Sequence, residues 1–379
     1  MKIVIAPQSF KGALTGKMAA KAIEQGVWSV YPKATTLLMP IADGGDGTLD
    51  VLHDNEIIDL FSSTVTGPMN QTTTAKWGVL SDRSTAVIEL AQASGLTLVP
   101  HQKRNPRTAT SKGTGELFRT ILDRGYRKVI VFLGGSATND AGAGLLHALG
   151  VRLLDKDGQE LSSGGIHLIK LETIDVTRLD PRLKETDIVV ATDVSNPLLG
   201  PNGATSIYGP QKGASPSVVK ELEAGLTQFS KIVRRDLGRD IAECPGAGAA
   251  GGVGGALLAF TNSRIQSGID LICDTLHVDD HFRNTNLVIT GEGRIDQSTI
   301  FNKAPVGIAR RAKAFGIPVI ALAGSLGSGY RDVYSHGIDA VYCILDRPLS
   351  FRESVDQTYK LLSDATERAL RLFKTDAIS

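Results

Sequence analysis

Short runs of consecutive apolar residues recur along this chain, and four of them lead straight into a loop with an acidic residue, three of those loops pairing it with glycine. The runs are KIVIAP (2–7), TLLMPI (36–41), KVIVFLG (128–134), DIVVAT (187–192), NLVITG (286–291), PVIALAG (318–324) and AVYCIL (340–345). Continuous apolar runs, rather than alternating ones, suit strands covered by helices on both faces, as in parallel sheets. Helical stretches alternate with them. From Ser215 and Pro216, apolar residues Val219, Leu222, Leu226, Phe229 and Val233 recur at helical spacing until Gly238. A serine cap, a proline in the first turn and a glycine stop agree with that helix. Ala19, Ile23, Val27 and Val30 predict a first helix ended by Pro32, and Ser350 with Glu353 predicts a capping box opening the last one. The fold class is therefore α/β.

At 379 residues the chain exceeds one ordinary core, so two domains are expected. Residues 62–83 (STVTGP, TTTAKWGVL) read as β-hairpin material that interrupts the β/α alternation, which resumes near residue 286. The expected layout is a discontinuous flavodoxin-like parallel sheet from residues 1–62 and 284–379, with a second mixed α/β domain inserted at 63–283. A crevice between two such domains is the expected binding site. A formal net charge of +1 gives no reason to expect nucleic acid or an acidic membrane as partner. No apolar run reaches the roughly 18 residues a membrane helix needs. MKIVIAPQSFKG reads as a first strand and not as a signal peptide. The three cysteines are too scattered for a disulfide framework or a zinc site, so a reducing cytoplasm is expected.

Ligands of open α/β sheets collect at the carboxyl ends of strands, where the four acidic loops should lie. ADGGDG (42–47) sets Asp43 and Asp46 around glycines, and two carboxylates so close call for a cation between them. GGSATND (134–140) offers Ser136, Thr138, Asn139 and successive backbone amides as an anion cradle. ATDVSNP (191–197) supplies Asp193 and Asn196, oxygen ligands suited to magnesium. TGEGRID (290–296) carries Glu292, Arg294 and Asp296, with Lys303 at the next helix start. SFKG (9–12) places Lys11 between the first strand and first helix, where a lysine meets phosphate or carboxylate. Each motif also has a plain reading as a turn, a solvated lysine or a surface ion pair.

Three lookalikes are set aside. GALTGKM has one residue too few for a phosphate-binding P-loop, and Met18 stands where a metal-binding hydroxyl belongs. GAGAAGG (246–252), with Asp270 beyond it, formally matches a dinucleotide fingerprint but follows Cys244-Pro245 instead of an apolar strand. It reads as a glycine-rich loop with an anion-binding helix start. HVDDH (277–281) pairs two histidines without a third ligand cluster and reads as a polar connection.

Taken in order, PQSFKGALT, ADGGDGT, ASGLTLV with KRNPRTATSKGTGEL, GGSATNDAGAG, ATDVSNPLLG, GPQKGAS, GAGAAGG and GEGRIDQSTIFNKAPVGIA resemble the bacterial class I glycerate kinases over nearly the whole chain. The resemblance implies ATP-dependent phosphorylation of D-glycerate, giving 2-phosphoglycerate in most of the family, and a two-domain α/β fold with one flavodoxin-like domain. Two motifs depart from the family's pattern: PQSFKG replaces PDSFKES, and Asp46 replaces a glutamate. On this reading Gly44, Gly45, Gly47, Gly134, Gly135, Ser136 and Asn139 cradle the ATP phosphates, with Glu292 and Lys303 also at the nucleotide. Asp46, Asp193 and Asp296 hold Mg2+. Lys11, Asp43, Asp193 and Lys212 are catalytic, with Asp43 taking the hydroxyl proton and Lys11, Lys212 and Lys303 meeting the substrate carboxylate or the transferred group. The rival expectations are an NAD-linked hydroxy-acid dehydrogenase, resting on GAGAAGG, and a non-catalytic hydroxy-acid sensor.

Overall fold

The computed structural model describes residues 1–301 and 303–376. Its strands are β1 (Lys2–Pro7), β2 (Thr35–Leu38), β3 (Ile58–Thr66), β4 (Thr72–Leu80), β5 (Thr85–Glu89), β6 (Lys128–Phe132), β7 (Arg152–Leu154), β8 (Thr173–Asp175), β9 (Asp187–Ala191), β10 (Arg264–Gln266), β11 (Leu287–Glu292), β12 (Val319–Ala323) and β13 (Ala340–Cys343). They divide between two compact units. The first holds residues 1–43, 50–57 and 269–379; the second holds 44–49 and 58–268.

In the first unit the sheet order is β13-β12-β11-β1-β2, and every pairing is parallel. Counted within the unit this is the 2-1-3-4-5 order of flavodoxin-like folds, whose switch point lies between β1 and β11. Helices Gly16–Val30 and Thr358–Asp376 pack together on this sheet, where Ile3, Ile5, Ile23, Val27, Leu362 and Leu370 are buried. Thr15 caps the first of these helices by accepting from the Met18 amide at 3.2 Å. β2 stops at Leu38, earlier than its apolar run suggests. Met39 and Ile41 still donate to Ile5 and Pro7, so the chain stays alongside β1 beyond the strand's end. The Ser350–Glu353 capping box is present, but its helix ends at Asp356 and a new one starts at Thr358.

In the second unit the order is β10-β9-β6-β5-β4-β3, parallel from β10 to β5 and antiparallel beyond. The expected hairpin is β3–β4, which begins at Ile58, with Trp77 fully buried. A short antiparallel ribbon joins β7 to β8. Helix Pro216–Leu237 has its serine cap and a left-handed Gly238 stop, as its sequence predicts. Among the described residues, no helix is long and apolar enough to cross a membrane.

Candidate functional site

The first unit gathers one charged constellation on the carboxyl edge of its sheet. Lys11 is exposed in the loop after β1, where Phe10 and Leu14 close a small bridge. Gly293, after β11, lies against that loop, its added Cβ position only 3.6 Å from the Lys11 amide. Glu292 ends β11 and is buried. Its Oε1 accepts from Thr299 Oγ1 at 2.9 Å. Burial pushes the Glu292 carboxyl up to about 7; Lys303 pulls the other way, while Asp43 and Asp296 add to the rise. Asp296 caps the short turn Gln297–Ile300, accepting from the Ser298 amide (2.9 Å), Ser298 Oγ (2.6 Å) and Arg294 Nε (3.0 Å). Those donors hold its carboxyl below the ordinary value. Lys303 stands immediately before helix Ala304–Ala314, at its N-cap position.

The second unit builds another constellation, on the carboxyl edge of β5, β6, β9 and β10. The Gly134 amide donates to the Gly44 carbonyl at 3.1 Å, so residues 44–45 and 134 meet backbone to backbone. Any side chain at Gly134 would collide with Gly45. Gly135 has φ +74, and a Cβ there would overlap the Asp46 carboxylate. Glu89, at the end of β5, is buried and accepts from the Gly47 amide (3.0 Å) and the Leu49 amide (2.9 Å). The amides of Gly134 and Gly47 are thus committed within the fold. Gly134 leaves no room for a side chain against Gly45, whereas Gly47, at φ +90, has open space around its Cβ position.

Beneath the β6 loop lies Lys212, 2% exposed, whose Nζ donates to Ser136 Oγ (2.9 Å) and the Thr138 carbonyl (2.7 Å). Burial lowers its ammonium to about 7, with Asp140 opposing. Asn139 is fully buried and gives its Nδ2 to Thr205 Oγ1 at 2.9 Å. Its side chain therefore braces the loop from inside. After β9, Asp193 Oδ1 accepts from Ser267 Oγ at 2.8 Å. Asn196 is taken up locally, accepting from Tyr208 and donating to the Asn202 carbonyl, so Asp193 is the oxygen donor this loop offers.

The family model for the glycerate kinase family matches residues 3–374. The chain belongs to the glycerate kinase family. It is 47% identical over 345 residues to the glycerate 2-kinase of Escherichia coli, an alignment covering 91% of each chain. To the glycerate kinase of Halalkalibacterium halodurans it is 46% identical over 363 residues, 96% of each. A crystal structure assigned to glycerate kinase 2 of Salmonella typhimurium LT2 superposes with a TM-score of 0.85 at 41% identity, over the full length of both chains. The protein is accordingly a kinase acting on glycerate.

Family membership overturns both rivals, the dehydrogenase and the non-catalytic sensor. The structure removes the first rival's support as well. GAGAAGG follows no strand; Ala141 donates to the Gly251 carbonyl and Gly248 to the Asn196 carbonyl, so the loop is packing material. Asp270 is paired with Arg310 and Arg311 (3.1 and 3.6 Å). In HVDDH, His277 precedes a short helix, and among the described residues no three His, Cys, Asp or Glu side chains could share a metal. Sequence reasoning missed Glu89, Asp140 and Ser267 as parts of this edge. Asp140 lay inside a quoted motif, but its partner Ser111 stands 29 positions away.

Proposed function

We propose that the enzyme transfers the γ-phosphoryl group of ATP to the 2-hydroxyl of D-glycerate, giving 2-phosphoglycerate. The observation that carries this reading is the glycine loop after β6, held from below by a buried lysine. Phosphoryl transfer requires positioning and charge neutralisation more than covalent chemistry. Gly44, Gly45, Gly135 and Ser136 allow phosphates to approach the backbone, and Lys212 supplies positive charge at that loop. Hard carboxylate oxygens suit magnesium, which commonly takes one or two carboxylates besides phosphate. Asp193, already oriented by Ser267, and Asp46, seated on Gly135, would hold it. When bound, the ion neutralises phosphate charge. Asp296 has its carboxylate engaged by Ser298 and Arg294 and is assigned to shaping its loop. Lys11 and Lys303 are assigned to the glycerate carboxylate, Asp43 to accepting the hydroxyl proton, and Glu292 to the nucleotide side of the reaction.

The test is to incubate the protein with ATP, magnesium and D-glycerate and to identify the product by phosphorus NMR. 2-Phosphoglycerate supports the proposal; 3-phosphoglycerate as the sole product refutes its regiochemistry. Lys11→Ala and Asp193→Asn should each depress turnover, and wild-type rates in both would refute the assigned roles.

A further inference from the structure

We propose that Ser136 is a self-phosphorylation site: when glycerate is absent, its hydroxyl takes the γ-phosphoryl group of ATP, with Lys212 as the base. The inference rests on the placement of ATP at the β6 loop given above and adds a covalent acceptor to it.

Ser136 Oγ and Lys212 Nζ stand 2.9 Å apart, the reach that a nucleophile and its base require. Both residues are pinned by backbone contacts independent of that bond. The Leu96 amide donates to the Gly135 carbonyl (2.8 Å) and the Ala137 amide to the Ser94 carbonyl (2.9 Å), so Ser136 is gripped on either side. The Lys212 amide donates to the Gly209 carbonyl at 3.0 Å. The pair is therefore held in place before any ligand arrives.

The surroundings of the amine suit a base. Lys212 is buried, and Nζ also meets the Thr138 carbonyl at 2.7 Å. A carbonyl only accepts, so Nζ donates to it; a neutral amine does this with one N–H and keeps its lone pair for the serine proton. Both partners are uncharged, and burial beside them favours the neutral amine, in keeping with an ammonium lowered to about 7. Near neutral pH the two forms coexist: the ammonium attracts phosphate, and the amine accepts a proton.

The other hydroxyl of this loop is placed differently. Thr138 is fully buried, and its Oγ1 donates to the Ala250 carbonyl at 3.3 Å. Ser136 retains slight exposure and follows Gly135, which is exposed and has no side chain to screen it. In the step itself, Ser136 Oγ bonds to the γ-phosphorus while the bond from that phosphorus to the β,γ-bridging oxygen breaks. ADP leaves with the electron pair, and the Ser136 proton passes to Lys212 Nζ. The resulting ammonium faces the new phosphate ester as a charge-assisted pair. Glycerate competes for the same phosphoryl group, so the modification falls as glycerate rises.

The test incubates the full chain with magnesium and ATP labelled in the γ-phosphate, without glycerate, and reads intact and fragment masses. One acid-stable phosphoryl group on Ser136 is expected, suppressed by added D-glycerate and absent from Ser136→Ala. Lys212→Arg, which keeps the charge but cannot take the proton, should slow its appearance by about 100-fold. No phosphoserine in a chain that phosphorylates glycerate overturns the inference and leaves the proposed function standing. Failure of both reactions overturns the placement of ATP and the inference with it. A label on another residue overturns the site, and an undiminished label in Lys212→Arg overturns the base. Fragment masses of the wild-type chain decide the position even if a variant does not fold.

Discussion

Glu292→Gln should make the ligand-free protein more stable at alkaline pH, against the usual expectation for a site residue. Glu292 is 7% exposed, and its carboxyl is pushed to about 7 from an ordinary 4.5, chiefly by burial. Below pH 4.5 folded and unfolded chains both carry the proton, and the group costs nothing. Between 4.5 and about 7 the unfolded chain releases the proton while the fold retains it, so stability falls as pH rises. Above about 7 the loss is complete. At about 1.4 kcal/mol per pH unit, the full loss comes to about 3 kcal/mol. Glutamine carries no charge to desolvate and still accepts from Thr299 Oγ1 through its carbonyl. Urea unfolding followed by circular dichroism would compare the two chains at several pH values. The variant's advantage should widen by about 2 kcal/mol between roughly pH 5.5 and 8.5. Parallel stability curves over that window would refute the reasoning, as would a variant that loses ground toward alkaline pH.

Further outcomes follow from the second unit. Asp193→Asn should lower kcat by about 100-fold or more and raise the magnesium requirement, whereas Ser267→Ala, which only frees the carboxylate to rotate, should cost roughly tenfold; a magnesium titration of activity distinguishes them. Gly135→Ala forces a side chain into a left-handed backbone and into Asp46, so it should raise the KM for ATP and destabilise by about 1–2 kcal/mol, read from steady-state kinetics and denaturation. Ser215→Ala removes only a cap whose Oγ accepts from Val218 at 3.4 Å; it should lower stability by roughly 0.5–1 kcal/mol and leave kcat unchanged.

Much of the scaffold was legible because its strands are buried on both faces and therefore read as unbroken apolar runs. β1, β9 and β12 lie within the runs that announce them. β5 was not legible: TAVIE is short and ends in a glutamate that reads as a surface charge. That glutamate is buried because it satisfies the amides of Gly47 and Leu49, some 40 positions earlier, and no local pattern encodes such a partnership. Lys212 was named as catalytic with the family resemblance, but its burial under Ser136 is a product of the fold that GPQKGA does not announce. Gly134 was recognised for its permissive backbone, but not for its packing against Gly45, since close approach and amide donation leave the same mark in sequence.

These long-range partnerships share a physical cause. A glycine-rich loop binds phosphate poorly if it must first lose its own conformational freedom, which costs about 1–2 kcal/mol per residue. The second unit meets that cost before any ligand arrives, by driving buried carboxylates into the backbone next to the glycines. Glu89 holds residues 47–49, and Asp140 holds 111, 142 and 144. Each carboxylate uses amides that sequence reasoning would otherwise offer to an anion, so the binding surface is smaller than the glycine count suggests. The arrangement also explains why negative groups line a site built for a negative ligand. Their oxygens face inward onto the chain's own N–H groups, and their charge is spent on loop rigidity. Repulsion of a triphosphate then falls mainly to Asp46 and Asp193, the residues assigned to the cation.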